Sequence, residues 1–199
     1  MGLFDILFGG SRPKQARLDP IFALTTAAIT FETELGWVPG GRAGVVLRPP
    51  AGQDYRATEK ELRELLDLAS REMKTRFEVR DDEYQYRWLI FEDPDWDDLV
   101  ALVHLAGQTL AEKGYGTQLL AAVFPFRQEE DPERKGETLY LIFNYKRGAF
   151  YPFLPRRGAS GARGERDTAE ETRIQALLEK ELPWEKDFSY WYPLWGCPV

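Results

Sequence analysis

Residues that carry chemistry are scarce in this chain of 199: it has one cysteine, one histidine and two methionines. The single cysteine, Cys197, excludes an intrachain disulfide and points to a reducing interior. One cysteine and one histidine do not make a tetrahedral zinc centre. Any nucleophile–histidine arrangement would have to use His104. No apolar run is long enough to span a bilayer. The opening MGLFDILFGG lacks the early positive charge and small-residue cleavage pattern of a secretory signal, so a cytoplasmic location is expected. Net charge is −7, which disfavours nonspecific binding to nucleic acid.

What the chain has in quantity is aromatic surface and local acid. Six rings (Trp184, Phe188, Tyr190, Trp191, Tyr192 and Trp195) fall within the last sixteen residues. A tail that apolar either packs on its own body or is offered to a partner. Pro193 and Pro198 keep it extended. Between residues 78 and 98, nine acids stand against Arg80 and Arg87. A solvated hairpin tip and a helix start account for that run. Within it, Glu92 to Asp98 places acids like the start of a calcium loop. Asp98 stands where the sharp turn needs glycine, and His104 where the bidentate glutamate belongs, so helix capping is the better account. Gly114-Tyr115-Gly116 follows a helix and precedes a strand, the reverse of a phosphate-cradling loop. No metal, cofactor or catalytic set is expected.

Hydrophobic periodicity orders the elements. Residues 1–18 form an appendage in which Leu3, Phe4, Ile6, Leu7 and Phe8 share one side of a short helix, followed by Arg12, Lys14 and Arg17. This segment either packs on its own domain or docks weakly and reversibly on an anionic membrane. A short helix is expected from Asp19-Pro20 to about Thr26, then a strand from Ile29 to Trp37 read from its period of two. Val45–Leu47 reads as a second strand. Thr58 and Glu61 have capping-box spacing before a helix with Leu62, Leu65, Leu66, Ala69 and Met73 inward. Strands near Phe77–Arg80 and Tyr84–Phe91 precede a helix from about Asp95 to Lys113. Leu119–Phe126, Leu139–Tyr145 and Ala149–Phe153 read as strands, with Pro125 marking a bulge or the end of pairing. Residues 156–166 read as a mobile loop. Thr168 and Glu171 repeat the capping-box spacing before a helix with Ile174, Leu177 and Leu178 inward, stopped by Pro183. Paired strands followed by a helix imply a two-layer α+β fold, mainly antiparallel, with helices on one face. The domain spans 19–183, with the tail 184–199 packed on it. A sheet edge or face left to cover makes a homodimer plausible.

Four stretches resemble one family: MGLFDILFGG, LDPIFALTTAAITFETELGW, DDLVALVHLAGQTLAEKGYGTQLLAAVFPF and YWYPLWGCPV. Together they are similar to PspAB, the family associated with the phage-shock protein PspA. The resemblance implies a cytoplasmic accessory protein of the envelope-stress response, with PspA-type membrane-stress proteins as partners. It supplies no catalytic residues. By fold-level analogy the element order is YbjN-like and secretion-chaperone-like, two-layer modules that bind proteins. The expected function is a non-enzymatic interaction module, with Leu3, Phe4, Ile6, Leu7, Phe8, Trp191 and Trp195 as contact candidates. The alternative is a small-molecule-binding protein or an unrecognised hydrolase.

Overall fold

The computed structural model describes residues 18–156 and 164–199. Among them are four α-helices: α1 (Ala23–Leu35), α2 (Gln53–Met73), α3 (Trp96–Glu112) and α4 (Thr168–Leu177). The strands are β1 (Trp37–Pro39), β2 (Arg42–Leu47), β3 (Arg76–Asp81), β4 (Arg87–Glu92), β5 (Leu119–Gln128), β6 (Thr138–Asn144) and β7 (Ala149–Phe153). They form one seven-stranded antiparallel sheet in the order β3-β4-β2-β5-β6-β7, with β1 also on β5. The fold is α+β.

β5 is the axis of the sheet because it is apolar on both faces and long enough to serve two neighbours on one side. Its first half pairs with β2 and its last residues pair with β1. Pro125 sits between those two stretches. Its carbonyl accepts the Gly40 amide at 2.8 Å, so its missing N–H faces the turn between β1 and β2, where no ladder bond is lost. The register shifts between Val46 and Leu47, whose partners on β5 are Ala121 and Leu119. Leu120 is the extra residue of a bulge there.

Alternation sends Val45, Leu89, Phe91, Ala122, Phe124, Phe126, Leu141 and Phe143 to the face that the helices cover. Rings fix the helices to it. Phe31 of α1 stacks on Phe126 at 4.5 Å, and Trp96 of α3 meets Phe126 at 5.2 Å and Phe124 at 5.6 Å. The Trp96 indole N–H donates to the Leu24 carbonyl at 3.1 Å. The other face carries Val46, Trp88, Ile90, Val123, Ile142, Tyr151 and Phe153, all buried.

Four local expectations are corrected. Residues 29–35 are helix, not strand. Leu24, Ala27, Ala28, Phe31 and Leu35 recur at helical spacing and are buried, whereas Ile29, read as inward, is 63% exposed. Gly36 ends α1 in the left-handed region at φ 69°. A Cβ there would lie 2.7 Å from Gln128 Oε1, so glycine is required twice over. Helix α2 begins at Gln53, which leaves Thr58 in its interior, and Leu65 lies outside the buried stripe. β4 begins at Arg87, because Asp82 Oδ1 accepts the amides of Tyr84 and Tyr86, both at 2.9 Å, and closes the chain into a loop. Helix α4 is capped by Asp167, which accepts the Glu170 amide at 3.1 Å. Glu171 turns inward instead of completing a box, and Leu177 is exposed.

Phe126 holds two helices to the sheet. Phe126→Ala is expected to destabilise by about 3–5 kcal/mol, read as a lower urea midpoint at an unchanged slope.

Candidate functional site

The aromatic tail wraps one edge of the sheet and crosses its second face. It starts on the helix side, where the buried Trp184 donates its indole N–H to the Leu178 carbonyl at 2.8 Å. Pro183 and Glu185 then take the free edge of β7 through the amide and carbonyl of Phe150, both at 2.8 Å. Past that edge the chain turns under the sheet. Trp191 is 5% exposed and stacks on Tyr151 at 6.4 Å, with its N–H on the Glu185 carbonyl at 3.0 Å. Trp195 is 36% exposed and meets Phe153 edge-on at 4.8 Å. Val199 reaches β2, where a Cβ on Gly44 would stand 2.7 Å from its Cγ1. Gly44 is the notch that seats the last residue.

Two ion pairs hold the strap where it turns. Arg166 clasps Glu171 with its Nε, at 3.0 and 2.9 Å from the two carboxylate oxygens. The same guanidinium donates to the Trp191 carbonyl at 2.7 Å and the Pro152 carbonyl at 3.1 Å. Glu171 is 0% exposed and also accepts the Leu154 amide at 2.7 Å. Burial pushes its carboxyl above the ordinary range, while Arg166 and the Leu154 amide pull it back. The second pair joins Arg147 to the buried Glu185, with Arg147 lying 4.0 Å over the Tyr190 ring. These four residues carried no sequence signal. Arg166 closes a run that reads as loop, and Glu171 has the spacing of a capping residue.

The residues with chemical potential are kept apart. His104 lies on α3, on the helix side, half-buried with its ring 4.3 Å from Phe22. Burial lowers its pKa, opposed by Asp19. Cys197 lies on the strap, on the other side of the sheet, against Tyr140. Burial pushes its thiol up to about 11, so it is a poor nucleophile at neutral pH. No Cys–His dyad forms. Asp93 and Asp95 serve structure: buried Asp93 accepts from Thr75 and from the Asp95 amide, and Asp95 caps α3 through the amides of Asp97 and Asp98. Among the described residues no group of three histidine, cysteine or acidic side chains converges as a metal site. No helix among them is long and apolar enough to cross a membrane. Leu3, Phe4, Ile6, Leu7 and Phe8 lie outside the described residues, as do residues 157–163 of the expected mobile loop.

Two open surfaces adjoin α1. A cleft of about 500 Å³ lies at the C-terminal end of α1, lined by Glu34, Leu35, Gln128, Glu130, Asp131, Arg134, Glu170 and Arg173. Its cations are committed: Arg134 to Asp167 at 2.9 Å and Glu137 at 3.2 Å, Arg173 to Glu170 at 3.5 Å. The second surface is the outer side of α1, with Phe22 46% exposed besides Ile29.

Fold and surface define a two-layer α+β protein that closes the outer face of its sheet with its own tail and shows no assembled catalytic set among the described residues. The chain belongs to the PspAB family: the family model for PspA associated protein B matches residues 1–199. No curated protein and no solved structure matches the chain.

Gly44→Ala is expected to lift the strap around Val199 with little loss of global stability, because the side chain it displaces is only partly buried. The readout is Cys197, whose reaction with a thiol reagent at pH 8 should accelerate several-fold. An unchanged rate would place the notch elsewhere. Arg166→Met leaves the Glu171 carboxylate buried without its partner and is expected to cost about 3–5 kcal/mol in denaturant unfolding. Adding Glu171→Leu should recover part of that loss.

Proposed function

We propose that this protein is a non-enzymatic accessory of the phage-shock envelope-stress response that acts by binding PspA-type proteins in the cytoplasm, at the inner face of the membrane. The observation that carries this reading is the match to PspA associated protein B along residues 1–199. The physical chemistry supports it. His104 and Cys197 stand on opposite faces of the sheet, and the thiol is suppressed by burial. The alternative reading, a small-molecule-binding protein, draws on the cleft beside α1. Only Leu35 among its lining residues is apolar, whereas small-molecule sites are walled mainly by apolar groups. That contrast favours a protein partner. The apolar residues Leu3, Phe4, Ile6, Leu7 and Phe8 would add weak membrane attachment beside the basic residues Arg12, Lys14 and Arg17.

Pull-down of a purified PspA-type protein by the full chain, paired with co-sedimentation on anionic liposomes, tests the reading. The full chain is expected to retain the partner, and a version lacking residues 1–18 to lose the lipid association. Failure to retain any PspA-type protein, with or without liposomes, would falsify it.

A further inference from the structure

The outer face of α1 is built unlike an ordinary solvated helix face. Phe22, which caps α1 and rests one side of its ring on His104 of α3, and Thr26, Ile29 and Thr33 within the helix are all exposed and follow one another at steps of four, three and four residues. Those steps are the spacing of a coiled-coil seam, along roughly 17 Å of helix. The opposite face, with Leu24, Ala27, Ala28, Phe31 and Leu35, is the one the core uses. The threonines on the seam ask nothing of water. Thr26 donates to the Ala23 carbonyl at 3.2 Å and Thr33 to the Ile29 carbonyl at 2.9 Å, so their hydroxyls are already satisfied within the helix. The seam is uncharged and its hydroxyl donors are used, which makes it cheap to desolvate.

Charge says what would cover it. The thirteen residues of α1 include no lysine or arginine, and their two charges, Glu32 and Glu34, sit in the last turn. Acids there oppose the helix dipole, an arrangement that a nearby cation would relieve. Neither is in an ion pair with a described residue. Glu181 extends the acidic border, holding the Thr30 hydroxyl at 2.9 and 3.0 Å. Glu34 is also the first wall of the cleft, where four carboxylates face two guanidiniums that are already engaged.

We propose that the outer face of α1 is a docking seam for one amphipathic helix of a partner protein. The partner's apolar stripe packs on Phe22, Thr26, Ile29 and Thr33, and its lysine or arginine flank meets Glu32, Glu34 and the cleft. The inference rests on the reading of the protein as a binding module and names the surface that does the binding. A second copy of this chain fits poorly, because pairing two α1 helices brings acids without any basic residue of α1 to answer them. An anionic lipid surface is disfavoured by the same acids.

The test uses the full chain and two labelled synthetic amphipathic helices that share a leucine seam, one flanked by lysine and one by glutamate. The lysine-flanked probe is expected to bind, weakening with added salt, and the glutamate-flanked probe to bind at least tenfold more weakly. Ile29→Ser, an exposed and charge-neutral change, should weaken the lysine probe about tenfold with circular dichroism unchanged. Glu32→Gln with Glu34→Gln should remove most of the salt dependence. Glu72→Gln with Glu83→Gln removes the same charge elsewhere and should change nothing. Equal binding of the two probes, or wild-type affinity in Ile29→Ser, overturns the proposal. So does a wild-type dimer in sedimentation that Ile29→Ser dissolves, because the occupant is then a second copy. If a PspA-type protein is retained by wild type and Ile29→Ser alike, the seam is wrong and the proposed function stands. If the probe behaves as expected but no PspA-type protein is retained, the seam stands and that function does not.

Discussion

A sheet with apolar side chains on both faces has to be covered twice. Here β2, β4, β5, β6 and β7 each bury residues on either side, and the helices cover only one. Exposing Val46, Ile90, Val123, Ile142 and Phe153 to water would forgo roughly 1.5–3 kcal/mol for each large side chain. The chain meets that demand with its own last sixteen residues. To reach the second face they must pass around an edge, and β7 is the edge they pass. The ladder bonds that β7 would otherwise leave open go to Pro183 and Glu185. The two ion pairs stand where the strap turns and begins its crossing. The glycine at position 44 follows from the same demand, since the last residue needs a gap in the sheet to lie in.

This arrangement decides which surfaces are left for a partner. The aromatic tail has the composition of a contact surface, yet Trp184 and Trp191 are buried and only Phe188 and Trp195 keep sizeable exposure. β3 is the remaining outer strand, and it carries Arg76, Glu78, Arg80 and Asp81 along its length, a charged edge of the kind that discourages strand addition. The helix layer leaves apolar side chains in water on three helices: Phe22 and Ile29 along α1, Leu65 and Leu68 on α2, and Leu177 on α4. The family model carries the description PspA associated protein B, and the outer side of α1 joins Phe22 and Ile29 to an acidic border at Glu32 and Glu34.

The legible parts of the sequence were those in which local pattern and burial agree. Helix α3 shows its acids, its apolar stripe and its closing glycine in the right order, and β5 and β6 are too apolar and too short to be anything but buried strands. The Ile29–Trp37 stretch has the look of a strand because Ile29, an exposed apolar residue, falls into register with Phe31 and gives a period of two. The helix forms because Phe31 stacks on Phe126 and the Leu24 carbonyl accepts the Trp96 indole N–H, and those partners are remote in sequence. Thr58 and Thr168 show the same failure in miniature: a capping box is a local pattern, and tertiary contacts moved one helix start upstream and drew Glu171 into a buried ion pair.

Residue order and counting were enough for the class of fold, the antiparallel pairing of neighbouring strands, and the exclusion of an intrachain disulfide, because each of these depends on short-range spacing or on composition. The folded chain was needed to see that Arg166 and Glu171 clamp the tail, that Val199 meets Gly44, and that Phe22, Thr26, Ile29 and Thr33 face water beside Glu32 and Glu34. Those facts depend on which distant segments meet, and nothing in the local order of residues encodes the meeting. The tail could be seen from the sequence to need cover. That it is itself the cover became visible only once both faces of the sheet were in place.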